Sequence, residues 1–337
     1  MRTPLLLAFL SPLLGFAAVR PASTLQEKPA TKPAAVRLGE GKQLYEWVAG
    51  WGQLPAGIQY GNTHGCITFD TKGNVYINTD TDRAIMVFEP NGKYVRGFGE
   101  QFKGGLHSML YSKEAGGEYL YLAHHSLRKA FKITLEGKVV LELPCPMESG
   151  HYKSETDYHP TSTVVSPNGD IFVADGYGQS WVHQYDSKGK YIRSFGGPGK
   201  MNCCHGMWID TRQKEPVLVV ADRGNRRLQI FDLNGNLQKM ITEGFRSPSN
   251  FGQFGDEIAI ADLEGRVTIV DKDYKVICHI GDNPDPSLRA NNGTPRDKWK
   301  DGEFIAPHCA RWDADGNLYV MDWVALGRMS KLARVKN

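Results

Sequence analysis

A pattern of short strands separated by glycine-containing turns recurs six times along this chain. The copies begin at Phe69, Tyr111, Ser166, Ile209, Asp256 and Trp312. In the third copy, SPNGDIFVADGYGQSWVHQYDSKGKYIRSFG, β-branched and aromatic runs alternate with turns, which predicts hairpins. Four-stranded units repeating at about 40–50 residues predict a β-propeller, because one unit cannot bury both of its faces. A parallel solenoid is the alternative, but it would not need four alternating strands in each repeat.

The last copy is short, because it supplies only three strands before Asn337. The phrase LYEWVAGWG at Leu44–Gly52 resembles YIRSFGGPG at 191–199, where a fourth strand leads into the next unit. We infer that this N-terminal strand completes the sixth blade and closes the ring, which removes exposed sheet edges. An unpaired N-terminal strand is the alternative. The sequence therefore predicts an all-β fold, a six-bladed β-propeller domain over residues 41–337.

The N-terminal segment is typical of an exported protein. Met1–Ala18 combines Arg2 with an apolar run and small residues, as a secretory signal peptide does. Cleavage after Ala18 or Ala22 assigns residues 1–22 to the signal peptide, and the proline-rich stretch that follows predicts a flexible leader over residues 23–40. The apolar run is interrupted and short of about 20 residues, so no membrane span is expected. We expect a periplasmic or extracellular protein.

Charge narrows the range of partners. There are 40 Lys and Arg against 37 Asp and Glu, so the formal net charge is only +3. So small a net positive charge does not indicate binding to nucleic acid or to an anionic membrane. We expect a small-molecule or peptide-like substrate, or else a protein or glycan partner.

The cysteine count permits disulfides without fixing any. The six are Cys66, Cys145, Cys203, Cys204, Cys278 and Cys309. An even number in an exported chain is compatible with bridges, but the spacing selects no pairing. We favour the interpretation that they are small buried residues at strand ends.

Histidines recur at one position of the repeat. Aligned on the start of the innermost strand, the six copies place there His64, His107, Thr161, His205, Asn250 and His308. The innermost strands of a propeller line its central channel and begin at the same mouth. The histidines of the second, fourth and sixth copies are therefore expected to converge on the axis.

Three convergent imidazoles are what a catalytic zinc needs, with the fourth position left for water or substrate. We predict zinc on His107, His205 and His308, with His64 and His159 nearby but not ligating. A lone histidine on a buried strand usually needs only a hydrogen-bond partner, so the alternative is a set of structural channel residues. Three at equivalent positions favour the metal.

The loop between the second and third strands of each copy opens at the same mouth. In the third copy this loop carries Tyr177, which is placed to reach over the channel. Asp222-Arg223 and Asp322 hold the corresponding positions in the fourth and sixth copies. We favour a turn or cap role for these aspartates, while catalysis and packing both stay open for Tyr177.

The repeats resemble NHL repeats, and copies two to six resemble the peptidyl-α-hydroxyglycine α-amidating lyase family. The resemblance is strongest at PTSTVVSPNGDIFVADGYGQSWVHQYDSKGKYIRSFG (160–196), VVADRGNRRLQIF (219–231) and APHCARWDADGNLYVMD (306–322). It implies a six-bladed propeller with zinc on three channel histidines, which cleaves a carbinolamide C–N bond to give an amide and glyoxylate. By motif position the resemblance places the ligands at His107, His205 and His308 and the catalytic tyrosine at Tyr177.

Some residues depart from that family's pattern. An aspartate follows the third histidine in the family and supports a structural calcium, whereas this chain has Cys309. Calcium is thus a second candidate metal, which Cys309 argues against. The family's first-blade catalytic arginine has its nearest counterpart in Arg83. The first copy and the long loop at 282–303 match nothing recognisable.

Two functions of different classes follow from these residues. In the first, the protein is an exported zinc-dependent lyase or hydrolase in which Tyr177 moves a proton and Arg83 or Arg223 pairs with a carboxylate. Its substrate is a hydroxylated amide, or another compound bearing a hemiaminal or a sugar. In the second, it is a non-catalytic propeller that binds a protein or glycan through aromatic residues such as Trp299 and Trp323.

Overall fold

A computed structural model of the protein describes residues 35–336. The predicted signal peptide, and the predicted leader as far as residue 34, lie outside the described residues. Strands dominate the described part, which holds no α-helix and no helix long and apolar enough to cross a membrane. Its only helices are 3-10 turns at Gly41–Gln43, Glu100–Phe102, Met147–Ser149, Glu155–Asp157, Arg223–Asn225 and Arg296–Lys298.

Two short strands precede the first complete blades. They are β1 (Arg37–Leu38) and β2 (Tyr45–Val48). Blade one contains β3 (Ile67–Phe69), β4 (Val75–Asn78), β5 (Ile85–Phe88) and β6 (Tyr94–Phe98). Blade two contains β7 (Leu106–Glu114), β8 (Gly117–His124), β9 (Lys129–Thr134) and β10 (Val139–Leu143). Blade three contains β11 (Ser162–Val165), β12 (Ile171–Ala174), β13 (Trp181–Tyr185) and β14 (Tyr191–Gly196).

The remaining strands form three further blades. Blade four contains β15 (Cys204–Asp210), β16 (Val217–Asp222), β17 (Arg227–Asp232) and β18 (Leu237–Ile241). Blade five contains β19 (Pro248–Phe254), β20 (Glu257–Asp262), β21 (Arg266–Val270) and β22 (Val276–Ile280). Blade six contains β23 (Pro307–Trp312), β24 (Leu318–Asp322) and β25 (Arg328–Arg334). In every blade neighbouring strands are antiparallel and follow chain order, so the prediction of a six-bladed propeller is confirmed.

The N-terminal strand closes the ring, as the sequence predicted. Strand β2 pairs with β25, with Trp47 opposite Leu332, and gives blade six its fourth strand. Within the described residues, strand structure is present before the expected boundary at residue 41, because β1 adds a fifth strand against β2. The stretch predicted as a flexible leader therefore ends in a short strand. A strand of two residues is too short to show a periodic pattern, so the sequence does not indicate β1.

Apolar side chains fill the spaces between neighbouring blades. Strand β5 (IMVF) is buried along its whole length because it is covered on both faces. Phe88 on this strand lies 5.5 Å from Trp51, which meets Tyr319 of blade six edge-on at 5.1 Å between ring centroids. Burial of this kind, at about 25 cal/mol per Å² of apolar surface, stabilises the radial packing.

All six cysteines are free thiols. Cys66, Cys145, Cys204 and Cys309 are buried, whereas Cys203 and Cys278 are partly exposed. The interpretation as small residues packed near strand ends therefore describes most of them.

Candidate metal centre

The inner strands of blades two, four and six begin with a β-bulge. In each, the register against the second strand shifts at the histidine, that is at His107, at His205 and at His308. A bulged residue is released from regular pairing, which allows its side chain to be re-aimed. The repeated histidine therefore lies at an irregularity of the sheet. This irregularity turns its side chain toward the channel axis.

The structure brings these three side chains together and adds a fourth. All three rings are fully buried, and their centroids form a nearly equilateral triangle with sides of 4.6, 4.7 and 4.8 Å. With His64, which is less deeply buried, their nearest ring nitrogens all lie within 4.8 Å of one another. Among the described residues, this cluster is the one group of His, Cys, Asp or Glu side chains arranged to share a metal ion.

Backbone carbonyls orient the three buried rings. Each Nδ1–H donates to a carbonyl of the following blade: His107 to Thr161 at 2.6 Å, His205 to Ser249 at 2.9 Å and His308 to Gly65 at 2.8 Å. A carbonyl only accepts, so each Nδ1 carries the proton and each Nε2 keeps a free lone pair. Metal-ligating histidines are commonly held in this way.

Two further observations fit a metal. The Nε2 atom of His308 is buried and has no hydrogen-bond partner among the described residues, although buried nitrogens are nearly always paired. Burial lowers the pKa of all three rings, to about 3 for His308 and well below the ordinary value for His107 and His205. The imidazoles are therefore neutral near pH 7, which is the ligating form.

His64 differs from the other three. It precedes β3, and its Nε2 lies 3.1 Å from the Tyr177 hydroxyl, but within residues 35–336 its Nδ1 has no carbonyl partner. Its pKa is lowered well below the ordinary value, first by burial and then by His308. His159 lies outside the cluster, since its ring bonds the His125 carbonyl at 3.1 Å. The sequence thus predicted the neighbourhood of His64, and the structure makes it a fourth candidate ligand.

Tyr177 reaches the centre of the cluster. Its hydroxyl lies 3.1 Å from the Nε2 atoms of His64 and His107, and 3.2 Å from that of His205. Burial raises its pKa, while the positive charge of Arg223 opposes the shift. The loop is fixed by Gly176, because an added Cβ would lie only 2.5 Å from the Cys204 carbonyl oxygen.

Arg223, and not Arg83, stands at this mouth. The Arg223 guanidinium lies 3.4 Å from the Tyr177 hydroxyl and 5.4 Å from its ring centroid, and it forms no salt bridge with any described residue. Arg83 is exposed, and its side chain lies over Gly97 at the outer edge of blade one. Of the two arginines that the sequence offered as carboxylate partners, Arg223 is the one that the structure places beside Tyr177.

The predicted aspartates support loops. Asp222 accepts hydrogen bonds from Arg227, Asn225 and the backbone N–H of Asn202. Asp322 accepts hydrogen bonds from the backbone N–H groups of Ile305 and Ala306.

Thiols lie beside the histidines in the channel. Cys309 accepts a hydrogen bond from the backbone N–H of Ile67 at 3.3 Å, and Cys66 accepts one from the side-chain amide of Asn250 at 2.9 Å. Calcium prefers oxygen ligands, so this donor set suits it poorly.

Known proteins resemble this chain at low identity. A human protein named NHL repeat-containing protein 3 is 24% identical over 260 residues, which cover 68% of this chain and 70% of that protein. Peptidyl-alpha-hydroxyglycine alpha-amidating lyase 1 of Drosophila melanogaster is 27% identical over 188 residues, or 50% of this chain. The chain resembles both NHL-repeat proteins and amidating lyases. The match spans only 33% of the fly lyase's own length.

Solved structures share the fold. A streptogramin B lyase structure superposes with a TM-score of 0.60 at 14% identity, covering 88% of this chain and 97% of that one. At that identity the likeness concerns the propeller fold alone. No protein-family model matches the chain.

Proposed function

We propose that this protein is a zinc-dependent lyase that cleaves the C–N bond of a hydroxylated amide. The observation that carries the proposal is the position of the Tyr177 hydroxyl, which contacts three imidazoles and one guanidinium. Distant similarity to an amidating lyase supports the same reaction class. The reaction converts a carbinolamide into an amide and an aldehyde, with no net change in protonation.

The residues fit zinc. His107, His205 and His308 offer neutral Nε2 donors whose orientation is set by backbone carbonyls. A zinc ion bound there would supply Lewis-acid polarisation of the substrate's hydroxyl oxygen.

Tyr177 is placed to relay the proton. Cleavage moves the hydroxyl proton away as the C=O bond forms, and the C–N electron pair leaves with nitrogen, which needs a proton. Because burial raises its pKa, Tyr177 is a neutral phenol. It gives its own proton to the departing nitrogen and accepts the hydroxyl proton, so the phenol is regenerated.

Arg223 provides the anchor for an anionic substrate group. It lies beside Tyr177, is partly buried and has no acidic partner among the described residues. A guanidinium in that setting suits a bidentate carboxylate. We therefore assign as substrate an N-acyl-α-hydroxyglycine, whose carboxylate binds Arg223 while its hydroxyl faces the histidines. Because residues 1–22 are typical of a signal peptide, we place the enzyme in the periplasm or outside the cell.

Incubation of untagged, zinc-loaded protein with N-benzoyl-α-hydroxyglycine tests this function. We expect stoichiometric benzamide and glyoxylate, and loss of both in His205→Ala. His151→Ala is the matched control, since that ring stacks on Trp181 at 3.7 Å and lies outside the cluster. Zinc-loaded protein that releases no glyoxylate above the uncatalysed rate would instead favour a non-catalytic propeller that binds a protein or glycan.

A further inference from the structure

The other mouth of the channel holds a separate cavity of about 680 Å³. It lies where the inner strands of four blades end, and its lining includes Leu110, Tyr111, Val165, Trp208 and Gln253. The strands begin at the histidines, so the cavity lies three or more residues further along, roughly 10 Å away. Its volume is in the range of small-molecule sites, about 300–1,000 Å³.

Arg311, on strand β23 of blade six, lies beside this cavity. It lines a smaller adjoining cavity of about 170 Å³ that shares Leu110, Tyr111, Trp208 and Gln253 with the larger one. Only 7% of Arg311 is exposed, and its guanidinium stands 5.1 Å from the Trp208 ring centroid. Trp208 is itself held by a hydrogen bond from its indole N–H to Gln253 at 3.1 Å.

This guanidinium lacks a carboxylate. Arg311 forms no salt bridge with a described residue, and its buried Nε has no hydrogen-bond partner there. Other buried arginines are paired, as Arg212 is with Asp210 at 2.8 Å and Arg266 with Asp262 at 3.1 Å. A buried charge without a partner is costly, so it is usually compensated by a ligand or neighbouring group.

The neighbouring groups do not supply that compensation. Glu114 in the cavity wall is already engaged, by Lys132 at 2.6 Å and by the Tyr121 hydroxyl at 2.7 Å. Lys113 at the rim is exposed and adds positive charge. The Cys66 and Cys309 thiols also lie near Arg311, but neither is a carboxylate.

We propose that this second mouth binds an organic monocarboxylate with an aromatic or aliphatic body. Arg311 would take the carboxylate through its planar fork, and Trp208, Tyr111 and Leu110 would pack against the apolar part. A single guanidinium suits a carboxylate better than a phosphate, which calls for more donors. The site is independent of the histidine cluster, so it stands or falls apart from the proposed lyase activity.

The test is a titration of the full chain with 3-phenylpropionate, with its neutral amide and inorganic phosphate as matched probes. The Trp208 indole N–H signal, assigned with Trp208→Phe, reports binding by NMR. We expect the acid to shift this signal saturably below about 10 mM, with at least a tenfold weaker response to the amide and to phosphate.

Variants locate the interaction. Arg311→Gln should weaken the acid at least tenfold. Arg311→Lys keeps the charge but loses the fork, so it should bind with intermediate affinity and serves if the glutamine variant fails to fold. Equal binding of acid and amide, unchanged affinity in both Arg311 variants, or no shift at 10 mM would overturn the proposal.

Discussion

The His308 ring of the sixth blade donates its Nδ1–H to the Gly65 carbonyl of the first blade, 2.8 Å away. Gly65 has no room for a side chain, since an added Cβ would lie 1.8 Å from the Asn78 amide group. Asn78 in turn bonds the Leu106 carbonyl at 2.6 Å, next to His107. Asn78 also accepts the N–H of Cys66, the residue after Gly65, at 2.6 Å. Hydrogen bonds of these neighbouring residues therefore link the junction of the first and last blades to the candidate metal centre.

Removal of the N-terminal strand should disturb both the junction of the first and last blades and the candidate metal centre. Deleting residues 1–52 removes β1, β2 and Trp51 and exposes the edge of β25. We expect the melting temperature to fall by about 10 °C or more, with aggregation and weaker zinc binding. Deleting residues 1–34 is the control and should change neither quantity. Equal melting temperatures of the two truncated proteins, measured by calorimetry, would contradict closure by β2.

The four histidines should not contribute equally. His107, His205 and His308 each have a carbonyl partner, whereas His64 has none within the described residues. Alanine at any of the first three should weaken zinc binding by more than about 100-fold, and alanine at His64 by less than about tenfold. Isothermal titration with zinc measures both. A loss at His64 as large as at His308 would make it a full ligand.

Zinc affinity should depend little on pH. The ligand histidines have folded-state pKa values below the ordinary 6.5, about 3 for His308. The rings are neutral and able to bind zinc above pH 6.5. They lose this zinc-binding form only as the pH falls toward the depressed pKa values. Between about pH 7.5 and 5.5 we expect less than a tenfold change in Kd, compared with about 1,000-fold for three ordinary histidines. A thousandfold weakening would show that the rings protonate normally.

Tyr177 and Arg223 should affect different kinetic constants. Tyr177→Phe should retain zinc and lose kcat by about 10²–10⁴-fold, because the proton relay is removed. Arg223→Gln should mainly raise KM for a substrate with a carboxylate, whereas Arg83→Gln, on the exposed outer edge, should leave both constants unchanged. Turnover by Tyr177→Phe at the native rate would remove the tyrosine from the mechanism. An effect confined to Arg83 would restore the sequence-based assignment.

Repetition in the sequence was enough to predict the architecture. Six copies of one pattern indicated six blades, and the short last copy together with Leu44–Gly52 indicated how the ring closes. The same alignment placed His107, His205 and His308 at one position, and the structure brings their rings together. Repeats allow this because equivalent positions in a ring are related by rotation about its axis.

Features outside the repeat could not be predicted in this way. The sequence left Arg83 and Arg223 open as carboxylate partners, because loop conformation decides which side chain reaches the mouth. The bulges that aim the histidines have no sequence signal of their own, and neither has β1. His64 sits at the repeated position, but its closeness to Tyr177 depends on a loop from another blade.

The most direct test is the metal content of protein purified without a histidine tag, measured by mass spectrometry and located by anomalous diffraction at the zinc edge. We predict one zinc per chain on the Nε2 atoms of His107, His205 and His308, and none in the His107→Ala/His205→Ala double variant. Full zinc occupancy in that double variant, or a native protein that binds no metal when zinc is supplied, would contradict it.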